Sequence, residues 1–141
     1  MKKLTVFLFI AASVLVYSCS KDQKVVKNLE GTWNVSSITI DGVADTVDFS
    51  NDTYEFELCK LKDGDCSGTL TSLDPSKGEV ALSFTYSIED DGETLNINLT
   101  DPFLGTTIST VGTILENTDS TFSWSETAET GEELVYVLTK Q

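Results

Sequence analysis

Cysteines are the side chains of this sequence best suited to covalent chemistry, and two of its three lie close together. Cys59 and Cys66 flank residues 60–65, a turn-forming segment rich in Asp and Gly. If residues 61–64 form a hairpin loop, the two cysteines face each other across neighbouring strands, on the outer face of the sheet. The sequence therefore predicts a Cys59–Cys66 disulfide in an oxidising compartment. A metal site is not expected, because two cysteines without any histidine cannot complete a usual zinc shell.

Catalytic groups are scarce in this chain. It contains no histidine and no arginine, and it has no nucleophile elbow or phosphate-binding glycine loop. Its abundant acids fall mostly in turns or on the polar faces of strands, which are solvated positions where a carboxylate is not poised for catalysis. The tip Asp63-Gly64-Asp65 lacks the spacing of an EF-hand. We therefore expect no enzymatic activity, no catalytic residue and no cofactor.

The third cysteine follows a segment that is typical of a signal peptide. Met1-Lys2-Lys3 is positively charged, residues 4–16 are almost entirely apolar, and Cys19 comes three residues later. The apolar run is too short to span a bilayer as a helix, which needs about 20 residues. This pattern predicts cleavage just before Cys19.

Val16-Tyr17-Ser18-Cys19 resembles the lipobox of bacterial lipoproteins, whose cysteine is acylated and becomes the first residue of the mature chain. Ser20-Lys21-Asp22 is similar to the short tag of surface-exported lipoproteins of the Bacteroidota. These resemblances imply lipid attachment at Cys19, a membrane contact through acyl chains, and an outer-membrane lipoprotein exposed at the cell surface. The alternative is an ordinary secretory signal.

Cleavage divides the chain into three parts: a signal peptide over residues 1–18, a lipidated N-terminus and tether over 19–28, and one domain over 29–141. After residue 18 the chain keeps seven lysines and 23 acids, a formal charge of −16. So acidic a chain repels phosphate backbones, which excludes nucleic acid as a partner.

Period-two alternation dominates residues 31–139 and predicts about eight short strands. The clearest hairpin has Asp91-Gly92 as a two-residue turn, so that residue 88 pairs with 95, 86 with 97 and 84 with 99. In the first strand Trp33 and Val35 share one face but Ile38 and Ile40 lie on the other, which indicates a β-bulge or a twist. Short connections favour an all-β, eight-stranded antiparallel up-and-down barrel, with a β-sandwich as the alternative.

The inward faces of these strands are aromatic and aliphatic. The candidate core or ligand-lining residues are Trp33, Val35, Tyr54, Phe56, Leu58, Phe84, Tyr86, Ile97, Trp124 and Tyr136. In an eight-stranded barrel such residues either fill the interior or line a cavity for one small ligand.

The segment Gly31-Thr32-Trp33, at the start of this meander, resembles the Gly-x-Trp signature that opens lipocalin barrels, in particular the lipocalin-like domains of Bacteroidota envelope lipoproteins. In that family the tryptophan closes the barrel base beside a basic side chain, a role for which Lys140 is the candidate here. The resemblance implies a lipocalin-like barrel that binds a small apolar ligand. The alternative is a surface-displayed interaction or inhibitor module with a filled core, whose partner would be an envelope protein.

Overall fold

The protein is an antiparallel β-barrel in the computed structural model, which describes residues 20–74, 76, 78–102 and 105–141. One helix, α1 (Lys21–Leu29), precedes the strands. The strands are β1 (Gly31–Ile40), β2 (Val43–Ala44), β3 (Thr53–Phe56), β4 (Cys66–Asp74), β5 (Gly78–Glu89), β6 (Thr94–Asp101), β7 (Thr106–Asn117), β8 (Thr121–Thr127) and β9 (Glu133–Lys140).

Pairing between the first and last strands closes the barrel. From β3 to β9 each strand pairs with the next, and β1 pairs with both β3 and β9. The β1–β9 ladder runs from Trp33↔Lys140 to Ile40↔Leu134. The two-residue β2 extends only the end of β1, so eight strands form the wall. The predicted up-and-down barrel is confirmed, and closure removes the exposed sheet edges that a sandwich would keep.

The register of the β5–β6 hairpin is the one that the sequence predicts. Ile88 pairs with Leu95, and the ladder continues in step to Phe84. The turn itself is longer than the predicted two residues, because the last ladder pair is Glu89↔Thr94. Asp90 and Asp91 have φ values of 55° and 59°, a left-handed conformation that aspartate tolerates better than most residues.

A β-bulge in β1 lets both of its apolar segments face inward. The β1–β9 register shifts between Val35 and Ser37. Trp33 and Val35 are buried before the shift, and Ile38 packs against the core after it. Of the two predicted alternatives, a bulge or a twist, the structure has the bulge. It turns Ile38 inward, whereas strict alternation would have placed this residue outside.

Helix α1 covers one end of the barrel. Ser20 caps it by accepting a hydrogen bond from the Gln23 N–H at 3.2 Å. Val25, Val26 and Leu29 are buried. Most of the predicted tether therefore packs on the barrel as a helix, because its apolar side chains gain more by burial than by solvation.

The barrel has two distinct ends, which we call the base and the mouth. The base carries α1 and the connections over residues 57–65, 90–93 and 118–120. The mouth carries the connections over 41–52 and 128–132 and those between β4 and β5 and between β6 and β7.

Aromatic rings fill the base half of the interior. The Phe56 ring lies 5.4 Å from that of Phe84 and 5.1 Å from that of Tyr86, both edge to face. The centroid of the Phe122 ring lies 6.4 Å from that of Phe56 and 6.4 Å from that of Trp33. Such T-shaped arrangements suit the ring quadrupoles and leave no room for a ligand at this depth.

The predicted disulfide between Cys59 and Cys66 is confirmed, with a Cα–Cα distance of 5.5 Å. Its predicted position on the outer face is wrong, since Cys66 is buried in the core. Strand β3 ends at Phe56, five residues earlier than the alternation suggests. Beyond that point the chain turns over, so Cys59 packs against the core and Leu58 is 73% exposed.

Candidate ligand-binding site

A cavity of about 270 Å³ opens in the mouth half of the barrel. We call it the mouth cup. Its walls come from six different strands, β3, β4 and β6–β9, and are mostly apolar or aromatic. The lining residues are Tyr54, Leu70, Ile97, Leu99, Ile108, Thr110, Trp124, Glu126 and Tyr136.

Strand alternation explains how β8 and β9 supply the aromatic wall of the cup. Trp124 and Tyr136 are direct cross-strand partners on the inner face. Their rings stack with centroids 4.6 Å apart and planes within 6°. The Tyr54 ring meets Trp124 edge to face at 5.9 Å. Three rings from three strands thereby form one continuous aromatic surface.

Gly112 fixes the position of Trp124. A Cβ added to this glycine would lie 2.6 Å from Trp124 Cδ1 and 3.0 Å from the Ser125 carbonyl oxygen. The indole therefore lies directly against the β7 backbone, where no side chain fits. This close approach holds the tryptophan at the floor of the cup.

Glu126 is the one carboxylate among the lining residues of the cup. It is half-buried, and its Oε1 accepts a hydrogen bond from the Tyr136 hydroxyl at 3.1 Å. Burial raises the pKa of Tyr54 and of Tyr136 above the usual value, and the negative charge of Glu126 raises both further. The two phenols therefore stay neutral at physiological pH.

The structure places seven of the ten predicted core or lining residues among the buried ones: Trp33, Val35, Phe56, Phe84, Tyr86, Ile97 and Trp124. Tyr54 and Tyr136 are partly buried and pack against that core. Leu58 is corrected, because its strand has ended and its side chain points into solvent. Of the ten, Tyr54, Ile97, Trp124 and Tyr136 reach the cup.

Sequence reasoning missed five lining residues, namely Leu70, Leu99, Ile108, Thr110 and Glu126. Glu126 had a usable signal, since it continues the inward alternation of Phe122 and Trp124 along β8. Thr110 had none, because nothing in a local pattern distinguishes an inward threonine from an outward one.

Trp33 closes the base as the Gly-x-Trp resemblance implies. Its indole N–H donates to the Leu29 carbonyl at 2.7 Å. Lys140 Nζ lies 5.1 Å from the centroid of the Trp33 ring and donates to the Asn28 carbonyl at 3.0 Å. Gly31 leaves the space for this lysine, since an added Cβ would lie 3.3 Å from Lys140 Cε.

A second, larger cavity of about 510 Å³ lies outside the barrel, in a groove between α1 and residues 58–62. Gln23 joins its two sides. Its amide nitrogen donates to the Cys59 carbonyl at 3.1 Å, and its oxygen accepts from the Leu61 N–H at 3.0 Å. Ser20, the first described residue, lines the groove at the base of the barrel.

In residues 20–141, apart from the four positions not described, no three or more His, Cys, Asp or Glu side chains are arranged to hold a metal ion. Over the same residues, we find no helix with the length and hydropathy of a membrane span. Cys19 and residues 1–18 lie outside the described part of the chain.

The closed eight-stranded meander, the tryptophan at its base and the cup at its mouth define a lipocalin-type barrel. A family model for the lipocalin-like domain matches residues 29–124, and the chain belongs to that family. No curated protein matches the chain.

Solved structures with the same fold include natural and designed proteins. A lipocalin-like protein from Bacteroides uniformis has a TM-score of 0.57 at 19% identity, over 81% of this chain and 99% of that one. The redesigned barrel mFAP1, bound to DFHBI, has a TM-score of 0.54 at 21% identity, over 82% and 98%. Lobster apocrustacyanin A1 has a TM-score of 0.54 at 10% identity, over 82% and 62%. At these identities the likeness concerns the fold.

Proposed function

We propose that this protein is a lipid-anchored lipoprotein of the cell envelope whose mouth cup binds one small, largely apolar ligand. The observation that carries the binding function is the cup itself, an open cavity with an aromatic wall above a filled base. Its volume of about 270 Å³ lies just below the range of about 300–1,000 Å³ that is usual for ligand pockets. The ligand is accordingly small, on the scale of one or two rings.

The position of α1 supports the anchoring part of the proposal. Cys19 directly precedes Ser20, the cap of the helix, and the helix packs on the base. Acyl chains on Cys19 would hold the base toward the membrane. The mouth cup would then open on the far side of the barrel, where a ligand can enter from the medium.

A second candidate function is protein interaction, and exposed apolar side chains at the mouth favour it. Val43, Val47, Leu73 and Ile108 are each more than half exposed, and all belong to the mouth end. An apolar rim of this kind is the sort of surface that a partner protein covers. The ligand-binding function requires a molecule inside the cup, whereas the protein-interaction function does not.

Filling the cup tests the ligand-binding function directly. Prodan, a neutral apolar probe built on one naphthalene, should gain fluorescence with the mature domain. Thr110→Phe places a ring in the cup and should abolish the gain. Val111→Phe adds a ring at the adjacent residue, which is 64% exposed, and should leave the gain unchanged. Absence of binding to the wild type, or equal binding by Thr110→Phe, would refute the function.

Palmitate labelling of the full chain in a bacterial host tests the anchor. Wild-type protein should take up the label and fractionate with membranes, whereas Cys19→Ala should do neither. Cys59→Ser removes a cysteine of the disulfide and should keep the label. Label retained by Cys19→Ala would refute the anchor.

A further inference from the structure

We propose that the mouth cup selects cationic amines with a small aromatic or apolar body over neutral and anionic molecules of the same shape. This inference rests on the proposed ligand-binding function and specifies the chemical class of the ligand. Three features of the described residues lead to it: the charge inside the cup, its aromatic wall, and the distribution of charge along the barrel.

The charge inside the cup is negative. Glu126 lines the cavity, and the set of lining residues contains no lysine. The other titratable side chains of the lining, Tyr54 and Tyr136, are neutral phenols. Asp52 lies close enough to Tyr54 to raise its pKa and adds a second negative charge near the rim. A carboxylate in a partly desolvated cavity attracts an ammonium group and repels an anion.

The Tyr136 hydroxyl holds the Glu126 carboxylate in place. It donates to Oε1 at 3.1 Å, which leaves Oε2 available to a ligand. Because the position of the carboxylate is already fixed, an ammonium group gains a charge-assisted hydrogen bond without first ordering the side chain.

The aromatic wall strengthens the same preference. Trp124 and Tyr136 stack with almost parallel planes, and Tyr54 joins them edge to face. Aromatic faces attract cations through the ring quadrupole. Trp124 is almost fully buried beneath Tyr136, so Tyr54 and Tyr136, which are only partly buried, offer the ring surface that a cation can reach. The wall also offers an apolar surface on which a ring of the ligand can pack.

Charge along the barrel is unevenly distributed. The described lysines all belong to the base: Lys21, Lys24, Lys27, Lys60, Lys62 and Lys140. The strand ends and connections of the mouth carry eleven acids: Asp41, Asp45, Asp48, Asp52, Asp74, Glu79, Asp101, Glu126, Glu129, Glu132 and Glu133. The sequence adds one lysine, Lys77, between β4 and β5. The base also carries acids, among them Asp22, Glu57, Asp63, Asp65, Asp90, Asp91, Glu93 and Asp119, but its lysines offset part of their charge. The field is therefore most negative at the mouth, where it draws cations and slows the approach of anions such as fatty-acid carboxylates.

Three probes with the same body separate the effect of charge from that of shape. Phenethylamine, phenylethanol and hydrocinnamate share a phenyl ring and a two-carbon arm, and carry a positive, neutral and negative head group. Titration calorimetry with the mature domain at low ionic strength should give phenethylamine roughly tenfold tighter binding than phenylethanol. Hydrocinnamate should bind more weakly than both. Equal affinities for the cation and the neutral probe would overturn the inference.

Two matched variants distinguish the carboxylate in the cup from the general field of the mouth. Glu126→Gln keeps an oxygen that can accept the Tyr136 hydroxyl, and should lower phenethylamine affinity about fivefold or more while leaving phenylethanol unchanged. Glu129→Gln removes the same charge from the exposed β8–β9 connection and should change the affinity less than twofold. Equal losses from both variants would overturn the role of Glu126.

Prodan separates the failure of this inference from the failure of the proposed function. If the neutral probe binds and phenethylamine shows no preference, the cup binds ligands but the inference is wrong. If the neutral probe does not bind either, the proposed function fails as well.

Discussion

Gly68 occupies a position in β4 where even a methyl group cannot fit, and Gly68→Ala should strongly destabilise the fold. An added Cβ would lie 2.5 Å from the Glu55 carbonyl oxygen and 2.6 Å from Phe84 Cε2, and closer still to Phe84 Cζ. The carbonyl belongs to the paired strand β3 and cannot rotate away. The φ of Gly68 is not in the left-handed region, so the cost comes from the collision rather than from the backbone.

The magnitude follows from how little the neighbours can move. Phe84 is 2% exposed and its ring contacts those of Tyr54, Phe56 and Tyr86. Overpacking of a core costs about 1–3 kcal/mol, and we expect the upper part of that range. For a domain of this size the loss lowers the melting temperature by roughly 10 °C.

Chemical denaturation of the mature domain measures this loss, and a double-mutant cycle tests its cause. Phe84→Leu shortens the side chain that the new methyl group meets. Gly68→Ala with Phe84→Leu should therefore cost at least about 1 kcal/mol less than the two single changes together. Thr85→Ala, on the exposed face of β5, is the control and should change stability by less than about 0.5 kcal/mol. A similarly small cost for Gly68→Ala, or strict additivity in the cycle, would refute the reasoning.

Three further predictions concern the base of the barrel. Replacing both Cys59 and Cys66 by serine should lower the free energy of unfolding by about 2 kcal/mol, since the closed loop is short; an unchanged urea midpoint would contradict this. Lys140→Met should lower the free energy of unfolding by about 1 kcal/mol, because it removes the cation over the Trp33 ring. Lys140→Arg keeps a cation there and should retain most of that stability in the same assay. Burial raises the pKa of Tyr86, so above about pH 10 only the unfolded state releases this proton and stability falls by up to about 1.4 kcal/mol per pH unit. Tyr86→Phe should make that alkaline loss smaller in denaturation curves, and a loss of the same size would show that Tyr86 is not its source.

Local patterns predicted much of the fold because each depends on residues close in sequence. The β5–β6 register follows from the alternation of Phe84, Tyr86 and Ile88 against their partners after the turn. The bulge in β1 follows from the displaced phase of Ile38. The partner of Cys59 could be named because one short turn separates it from Cys66.

The end of β3 could not be predicted from the same patterns. Residues 53–61 alternate as if in one strand, yet regular pairing stops at Phe56↔Gly68. Helix α1 and residues 58–62 pack against each other through Gln23. These contacts with α1 take residues 58–62 out of the sheet, so Leu58 lies in solvent and the disulfide packs against the core. Because α1 is distant in sequence, the local alternation contains no sign of this change.

The sequence by itself determined an acidic, all-β chain with a disulfide pair and a Gly-x-Trp opening, because composition and alternation are properties of neighbouring residues. Only the tertiary structure decided what the cysteines, tyrosines and carboxylates lie beside. Tyr54, Trp124 and Tyr136 form one wall because β1 and β9 close the barrel. Closure likewise gathers the described lysines at the base, among acids whose charge they partly offset, and leaves the acids of the mouth far from them. The mouth cup is lined by strands that are distant in the chain, so it forms only when tertiary folding brings those strands together.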